Sequence, residues 1–224
     1  MRLWHEHVEI LRTPPRQRVL VFAPHADDEV LGCGGTILLH AARGDAVHVV
    51  IAFDGLLGLA APWPRDTRRV EAARAASALG VAPYRFLDHP EGHVPTAAEA
   101  ESGARQLAAL VDEFSPDVVY APWPGEEHVD HRTLAQAVAS ARALCRRPVE
   151  WWGFEVWTPL AAERVLDVES VWPRKLEALC AYASQGGATE LARLAEERAS
   201  ARRELFGGAA TRSEGFARLP RGAP

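Results

Sequence analysis

Residues 18–35 read RVLVFAPHADDEVLGCGG, and the first half of that stretch decides the fold. RVLVFA is a short apolar run without alternation, the pattern of a strand buried on both faces of a parallel sheet. It runs straight into PHADDE, which sets one imidazole and three carboxylates within five residues at the strand's carboxyl end. Beyond it the spacing predicts a helix from Glu29 to Arg43, with Gly44 as its C-terminal stop. AVHVVIAF (46–53) reads as a second buried strand, Arg65 to Leu79 as a helix ending at Gly80, YRFLD (84–88) as a third strand and 96–114 as a helix. DVVYAPW (117–123) is a fourth strand and 132–146 a helix; WWGFEVW (151–157) and VLDVES (165–170) read as further strands, and 173–203 as one or two helices. Such alternation implies an α/β fold, a single Rossmann-like domain with a doubly wound, mostly parallel sheet flanked by helices. Residues 1–206 are expected to form that catalytic domain, and 207–224, rich in Gly, Ala, Arg and Pro, a surface tail ordered in part around Phe216.

The inventory of reactive groups is narrow. The chain has 224 residues, 48% of them hydrophobic, enough for a full core. Of 25 basic residues only Lys175 is a lysine, so there is no phosphate-binding G-x-x-x-x-G-K-[ST] loop and at most one Schiff-base candidate. A net charge of -5 with interspersed signs offers no basic patch for nucleic acid. Cys33, Cys145 and Cys180 are scattered, which disfavours a disulfide framework or a cysteine metal cluster and fits a reducing compartment. The charged N-terminus carries no signal-peptide core and no run of 18 apolar residues occurs, so the expected location is cytoplasmic, away from membranes.

The fourth strand leads into EEHVDH (126–131), a second cluster with two imidazoles and three carboxylates. Ligands of open α/β sheets bind outside the carboxyl ends of the strands where strand order reverses, so both clusters are expected to face one pocket. A divalent metal is the economical reason to gather imidazoles and carboxylates there. His25 and Asp28 are spaced i, i+3, as are His128 and His131, and one pair plus one further histidine makes a His₂-carboxylate site. Helix capping is the competing explanation: Asp27, Asp28 and Glu29 suit a helix start and Asp130 is a credible N-cap. Capping leaves the three imidazoles without a role.

These residues resemble the PIG-L/LmbE-type zinc-dependent deacetylases, which act on N-acetylglucosamine-containing substrates. The family's [AP]-H-P-D-D-E signature stands here as PHADDE, with Ala26 for the usual proline, and its H-x-D-H as His128-Val129-Asp130-His131. RRVEAARAASALGV (68–81), FEVWTPL (154–160) and KLEALCAYASQ (175–185) match further family segments in order; TRSEGF (211–216) matches the family ending only loosely, and Glu91-Gly92 replaces a common Asp-Gly. The resemblance implies that His25, Asp28 and His131 bind one Zn²⁺ per chain and that Asp27 is the general base. It implies that His128 stabilises the oxyanion or protonates the leaving amine, that Asp130 holds the tautomer of an active-site histidine, and that Arg68 contacts substrate, with Arg69 as the alternative register. The expected partner is a small amino-sugar substrate, with a homo-oligomer left open.

Other residues weigh less. His5, His7, His40, His48, His89 and His93 have no ligand spacing, although His89 and His93 follow a strand end. Trp151, Trp152 and Trp157 read as sheet-packing residues, with Trp63 and Trp123 as the better pocket candidates. Gly32-Cys33-Gly34-Gly35 lies inside the predicted helix, beyond the turn where a dinucleotide fingerprint belongs, and reads as close helix packing. Two rival functions use the same residues. His25-x-Asp27 with His131 fits the facial triad of an Fe(II) oxygenase, a pattern associated with all-β jelly rolls rather than this alternation. A nonenzymatic nucleotide-binding module would need neither metal nor His128.

Overall fold

Val19–Ala23 lies in the middle of an eight-stranded sheet, and all five of its residues are buried. Its side chains split by the period of two. Val19, Val21 and Ala23 enter one hydrophobic cluster and Leu20 and Phe22 the other, which is why the segment shows no polar alternation. The computed structural model describes residues 8–15, 17–59, 62–206 and 211–220. Among them the strands are β1 (Glu9–Leu11), β2 (Val19–Ala23), β3 (Val47–Phe53), β4 (Arg85–His89), β5 (Val118–Pro122), β6 (Glu150–Phe154), β7 (Arg164–Asp167) and β8 (Ser213–Arg218). The helices are α1 (Asp28–Ala42), α2 (Thr67–Leu79), α3 (Ala97–Phe114), α4 (Val129–Leu144), α5 (Trp172–Cys180) and α6 (Ala192–Leu205).

Strand order is β1-β7-β8-β6-β5-β2-β3-β4, parallel throughout except at β8, which is antiparallel to both neighbours. Helices α1, α2, α5 and α6 cover one face through residues such as Ile37, Ala75, Leu179 and Ala195; α3 and α4 cover the other through Leu107, Val111, Leu134 and Val138. The chain moves outward from β2 to β3 and β4, then returns to the other side of β2 as β5. The β2/β5 boundary is therefore the topological switch point, and both acidic clusters follow its two strands.

Several segments differ from expectation. Residues 213–218, expected in a surface tail, form β8 inside the sheet, with Ser213, Glu214 and Phe216 buried; 207–210 and 221–224 of that segment lie outside the described residues. Residues 173–203, expected as one or two helices, are two, separated where Gly186 adopts φ 69° and Gly187 packs so closely on the Leu179 carbonyl that a Cβ would sit 2.1 Å from it. The 151–157 strand ends at Phe154, leaving Trp157 exposed, and β7 stops at Asp167. A short edge strand, β1, stands at residues 9–11, where the sequence predicts no element.

Helix α1 breaks at Cys33 (φ -144°, ψ 24°), and buried charges fill the break. The Lys175 ammonium donates to the Leu31 carbonyl (2.9 Å), ending the first half. Glu214 accepts the amides of Gly35 and Thr36, both at 2.7 Å, capping the second half, and pairs with Lys175 at 2.7 Å. The glycines permit close packing: a Cβ on Gly32 would lie 2.2 Å from the Phe154 ring, and one on Gly35 2.6 Å from Val168.

Candidate active site

The two strand-end clusters meet. Asp28 Oδ2 stands between two imidazoles, 3.3 Å from His25 Nδ1 and 3.2 Å from His131 Nε2, and also accepts the His25 amide at 3.0 Å. The ligand atoms of His25, Asp28 and His131 lie within 4.8 Å of one another, and all three residues are buried. Two imidazole nitrogens 3.2–3.3 Å from one carboxylate oxygen are a donor set of the kind that would hold a divalent ion. Both ring nitrogens of His131 are buried without a hydrogen bond, so the donor set fits a cation.

Asp130, expected either as an N-cap or as a tautomer-holding group, holds three things together. Its Oδ2 is 3.1 Å from His25 Nε2, its Oδ1 accepts the Gly92 amide at 2.9 Å, and its own amide donates to His128 Nδ1 at 3.3 Å. The α4 cap is thus the His128 side chain, with Asp130 in the first turn. In the neutral ring a proton on His25 Nε2, held by Asp130, would leave Nδ1 free toward Asp28.

Asp27 sits beside this set at φ 136°, a conformation rare for a non-glycine residue and worth about 1–3 kcal/mol of strain. It is held there from several sides. Its amide donates to Glu29 Oε2 (2.9 Å) and its carbonyl accepts from Val30 and Leu31. Glu29 in turn accepts the hydroxyls of Tyr84 and Tyr182. Arg68 Nη1 is 3.5 Å from Asp27 Oδ2, and Arg68 Nε is buried without a partner. Arg69 points elsewhere, pairing with Asp88 and lying over the Phe86 ring. His128, half-buried, has its ring centroid 5.3 Å from that of His25 and 4.9 Å from that of His131.

The electrostatics follow from burial and these contacts. Burial pulls His25 down, but hydrogen bonds to Asp130 and Asp28 outweigh it and hold its pKa at about 10. Burial likewise lowers His131, and Asp28 and Glu126 bring it up to about 9. Burial pushes Asp27 up to about 7 against the Arg68 guanidinium. Burial also raises Asp28, yet His131 and His25 hold it well below the usual carboxylate range. His128 is lowered by burial and then by the charges of His131 and His25.

Two carboxylates that sequence reasoning gave no role tie loops to the centre. Glu126, fully buried 3.6 Å from His131 Nδ1, accepts the amides of Val156, Trp157 and Thr158. Glu91 accepts the amides of Leu57 and Gly58, with its other oxygen 3.7 Å from His25 Nε2. His89 and His93 turn to Gln106 and Glu99 of α3 instead. A cavity of about 880 Å³ along α3 and α4 has Glu99 and Glu101 in its wall, but both are exposed and already paired with Thr96 and Arg105.

His5 and His7 lie outside the described residues. His48 stacks on Phe114 with centroids 4.3 Å apart. His40, buried with Nδ1 2.8 Å from Asp45, has its pKa lowered by burial despite that contact. The unfolded chain then takes up this proton at higher pH than the folded one, so His40's contribution is full above about pH 6.5 and declines below it. We expect unfolding free energy from urea titrations to fall between pH 6.5 and 5.5 by up to ~1.4 kcal/mol per pH unit from this group. His40→Gln should flatten that part of the slope, and an identical slope in the variant contradicts the assignment.

The comparisons with known proteins point the same way. The GlcNAc-PI de-N-acetylase family, PIG-L, matches residues 20–142. The probable N-acetyl-alpha-D-glucosaminyl L-malate deacetylase 2 of Bacillus anthracis is 30% identical over 188 residues, covering 75% of this chain and 81% of the relative. The 4-oxalmesaconate hydratase of Pseudomonas putida is also 30% identical, over 209 residues, 81% of this chain and 80% of its own. Among solved structures, the conserved protein TT1542 from Thermus thermophilus superposes with a TM-score of 0.76 at 25% identity, covering 92% of this chain and 96% of its own. The chain spans about half the length of several inositol-linked deacetylases that it also matches, from 48% to 59%.

Proposed function

The chain belongs to the PIG-L family, and from that premise we propose that it is a metal-dependent hydrolase that removes the acetyl group from an N-acetylated amino sugar of the N-acetylglucosamine type. The observation that carries this reading is the convergence of His25 Nδ1, Asp28 Oδ2 and His131 Nε2 at the switch point, with Asp27 and His128 beside them. Those three residues would hold one zinc ion per chain, which would supply a water of lowered pKa and polarise the amide carbonyl.

The protein's own groups do the rest. Asp27, outside the converging set and braced by Arg68, takes the proton of the attacking water. His128 Nδ1 accepts the Asp130 amide, so the proton of its neutral ring lies on Nε2, where it meets the carbonyl oxygen as negative charge gathers there. Burial, which lowers the His128 pKa, favours that neutral ring. Collapse requires a proton on the departing amine, and Asp27, having gained one, returns it. Asp130 keeps His25 in the tautomer that presents Nδ1. Arg68 Nε, free of partners, is available to a substrate oxygen. The products are acetate and a primary amine.

No helix among the described residues is long and apolar enough to cross a membrane. A cytoplasmic location and a small-molecule partner complete the proposal.

The hydratase relative favours a second reading, addition of water to an unsaturated acid by the same acid–base groups. The deciding experiment is a screen of the metal-loaded protein for acetate and primary-amine release from N-acetylated amino sugars, with and without chelator. Amine release abolished by chelator and restored by zinc supports deacetylation. Turnover of unsaturated acids alone replaces it with hydration, and full activity in zinc-free protein refutes the metal. In the same assay His128→Ala should lower kcat by about 10²–10³-fold at unchanged zinc content. A wild-type rate in that variant contradicts the oxyanion role.

A further inference from the structure

The two imidazoles that converge on Asp28 share one layout. His25 turns Nδ1 to Asp28 and Nε2 to Asp130, 3.1 Å away; His131 turns Nε2 to Asp28, 3.2 Å away, and Nδ1 to Glu126, 3.6 Å away. Each outer carboxylate also holds backbone amides of a loop. Asp130 holds that of Gly92, and Glu126 holds those of Val156, Trp157 and Thr158. Asp130 stands inside the H-x-D-H signature, whereas Glu126 stands outside it.

Loop anchoring alone does not account for a charge at residue 126. The 156–158 segment is also held by the Trp123 indole, which donates to the Thr158 carbonyl at 2.9 Å, and by Thr158 Oγ1, which accepts the Glu127 amide at 3.1 Å. Glu126 is 1% exposed, and a buried carboxylate is costly where neutral acceptors would serve the same amides. Its Oε2 faces His131 Nδ1, a buried atom without a hydrogen bond. An imidazole that gives one nitrogen to a cation keeps its proton on the other, and that N–H needs an acceptor. The separation exceeds an ordinary hydrogen bond by about 0.5 Å, a gap that a small tilt of the ring closes.

We infer that Glu126 is the positioning residue of His131: its Oε2 accepts the Nδ1 proton and so keeps Nε2 beside Asp28, as Asp130 does for the opposite nitrogen of His25. This role rests on the metal-dependent reading and adds to it a residue that touches neither the metal nor the substrate.

Zinc affinity of the metal-free, full-length protein, measured by competition with a chromogenic chelator, tests the role. Glu126→Gln keeps the side chain's shape and removes its charge, and should weaken zinc binding about 10–100-fold. Trp123→Phe releases the same loop at the Thr158 carbonyl but leaves the Glu126–His131 contact in place, and should keep the wild-type affinity. A second measurement needs no variant and stands even if Glu126→Gln does not fold. In wild-type protein labelled with ¹⁵N-histidine, zinc addition should give His131 an Nδ1-bound proton that exchanges slowly with water. Wild-type affinity in folded Glu126→Gln, equal weakening in Trp123→Phe, or an Nδ1 proton in fast exchange overturns the role while leaving the metal centre standing. Wild-type protein that takes up no zinc overturns the metal centre itself, and this role with it.

Discussion

Asp27→Asn protein should match the wild type in metal content when both are loaded, yet turn over its substrate about 10²–10⁴-fold more slowly. The Asp27 carboxylate faces Arg68 and is not among the atoms that converge between His25, Asp28 and His131. Asparagine also tolerates the positive φ that residue 27 adopts, so the brace from Glu29 and the start of α1 survive the substitution. His131→Ala should behave in the opposite way. It removes one of three converging donors and leaves Asp28 with a single imidazole, so bound metal should be lost on dialysis, and activity with it. Metal analysis by mass spectrometry beside steady-state kinetics separates the two classes. Parallel metal loss in both variants would refute the division between base and ligand.

Glu214→Ala should destabilise the protein by about 3–5 kcal/mol, the cost of leaving a buried charge without its partner. The loss strands the Lys175 ammonium, 2% exposed, and uncovers the amides of Gly35 and Thr36 in the middle of α1. Lys175→Met combined with Glu214→Leu should lose much less than the sum of the single changes, because no buried charge is left over. It should not recover wild-type stability, since the two amides stay unpaired. Urea titrations of the single and double variants measure this coupling, and additive losses would contradict a pairing inside the helix break.

The parts of this molecule that were legible in the sequence are those whose cause is local. A strand buried on both faces must be apolar throughout, so VLVFA and VVYAP declare themselves, and chemistry gathered at their ends follows from the same topology. β8 does not declare itself. Its buried positions include Ser213, Glu214 and Gly215, and Glu214 is tolerated only because Lys175 arrives from α5 to meet it. The break at Cys33 is hidden for the same reason, as both groups that fill it come from elsewhere in the chain. Trp157 reads as a strand residue by alternation, but Glu126 draws away the amides of residues 156–158 and ends the pairing. That Arg68 and not Arg69 faces Asp27 is recoverable from the sequence. Arg68 stands four, seven, eight and eleven residues before Ala72, Ala75, Ala76 and Leu79, in phase with the buried face of α2, whereas Arg69 is turned a further 100° or so about the helix.

The lone lysine also bears on the order in which the protein becomes active. Every proposed ligand and proton carrier has been synthesised once residue 131 has left the ribosome, and the family match ends at residue 142. The helix that presents Asp27 and Asp28 nevertheless waits for Lys175 to close its first half and for Glu214 to open its second. A nascent or prematurely terminated chain thus holds the complete set of reactive groups without the frame that aims them. The contacts that complete α1 thus come from β8, a strand far downstream of every residue assigned to the proposed chemistry.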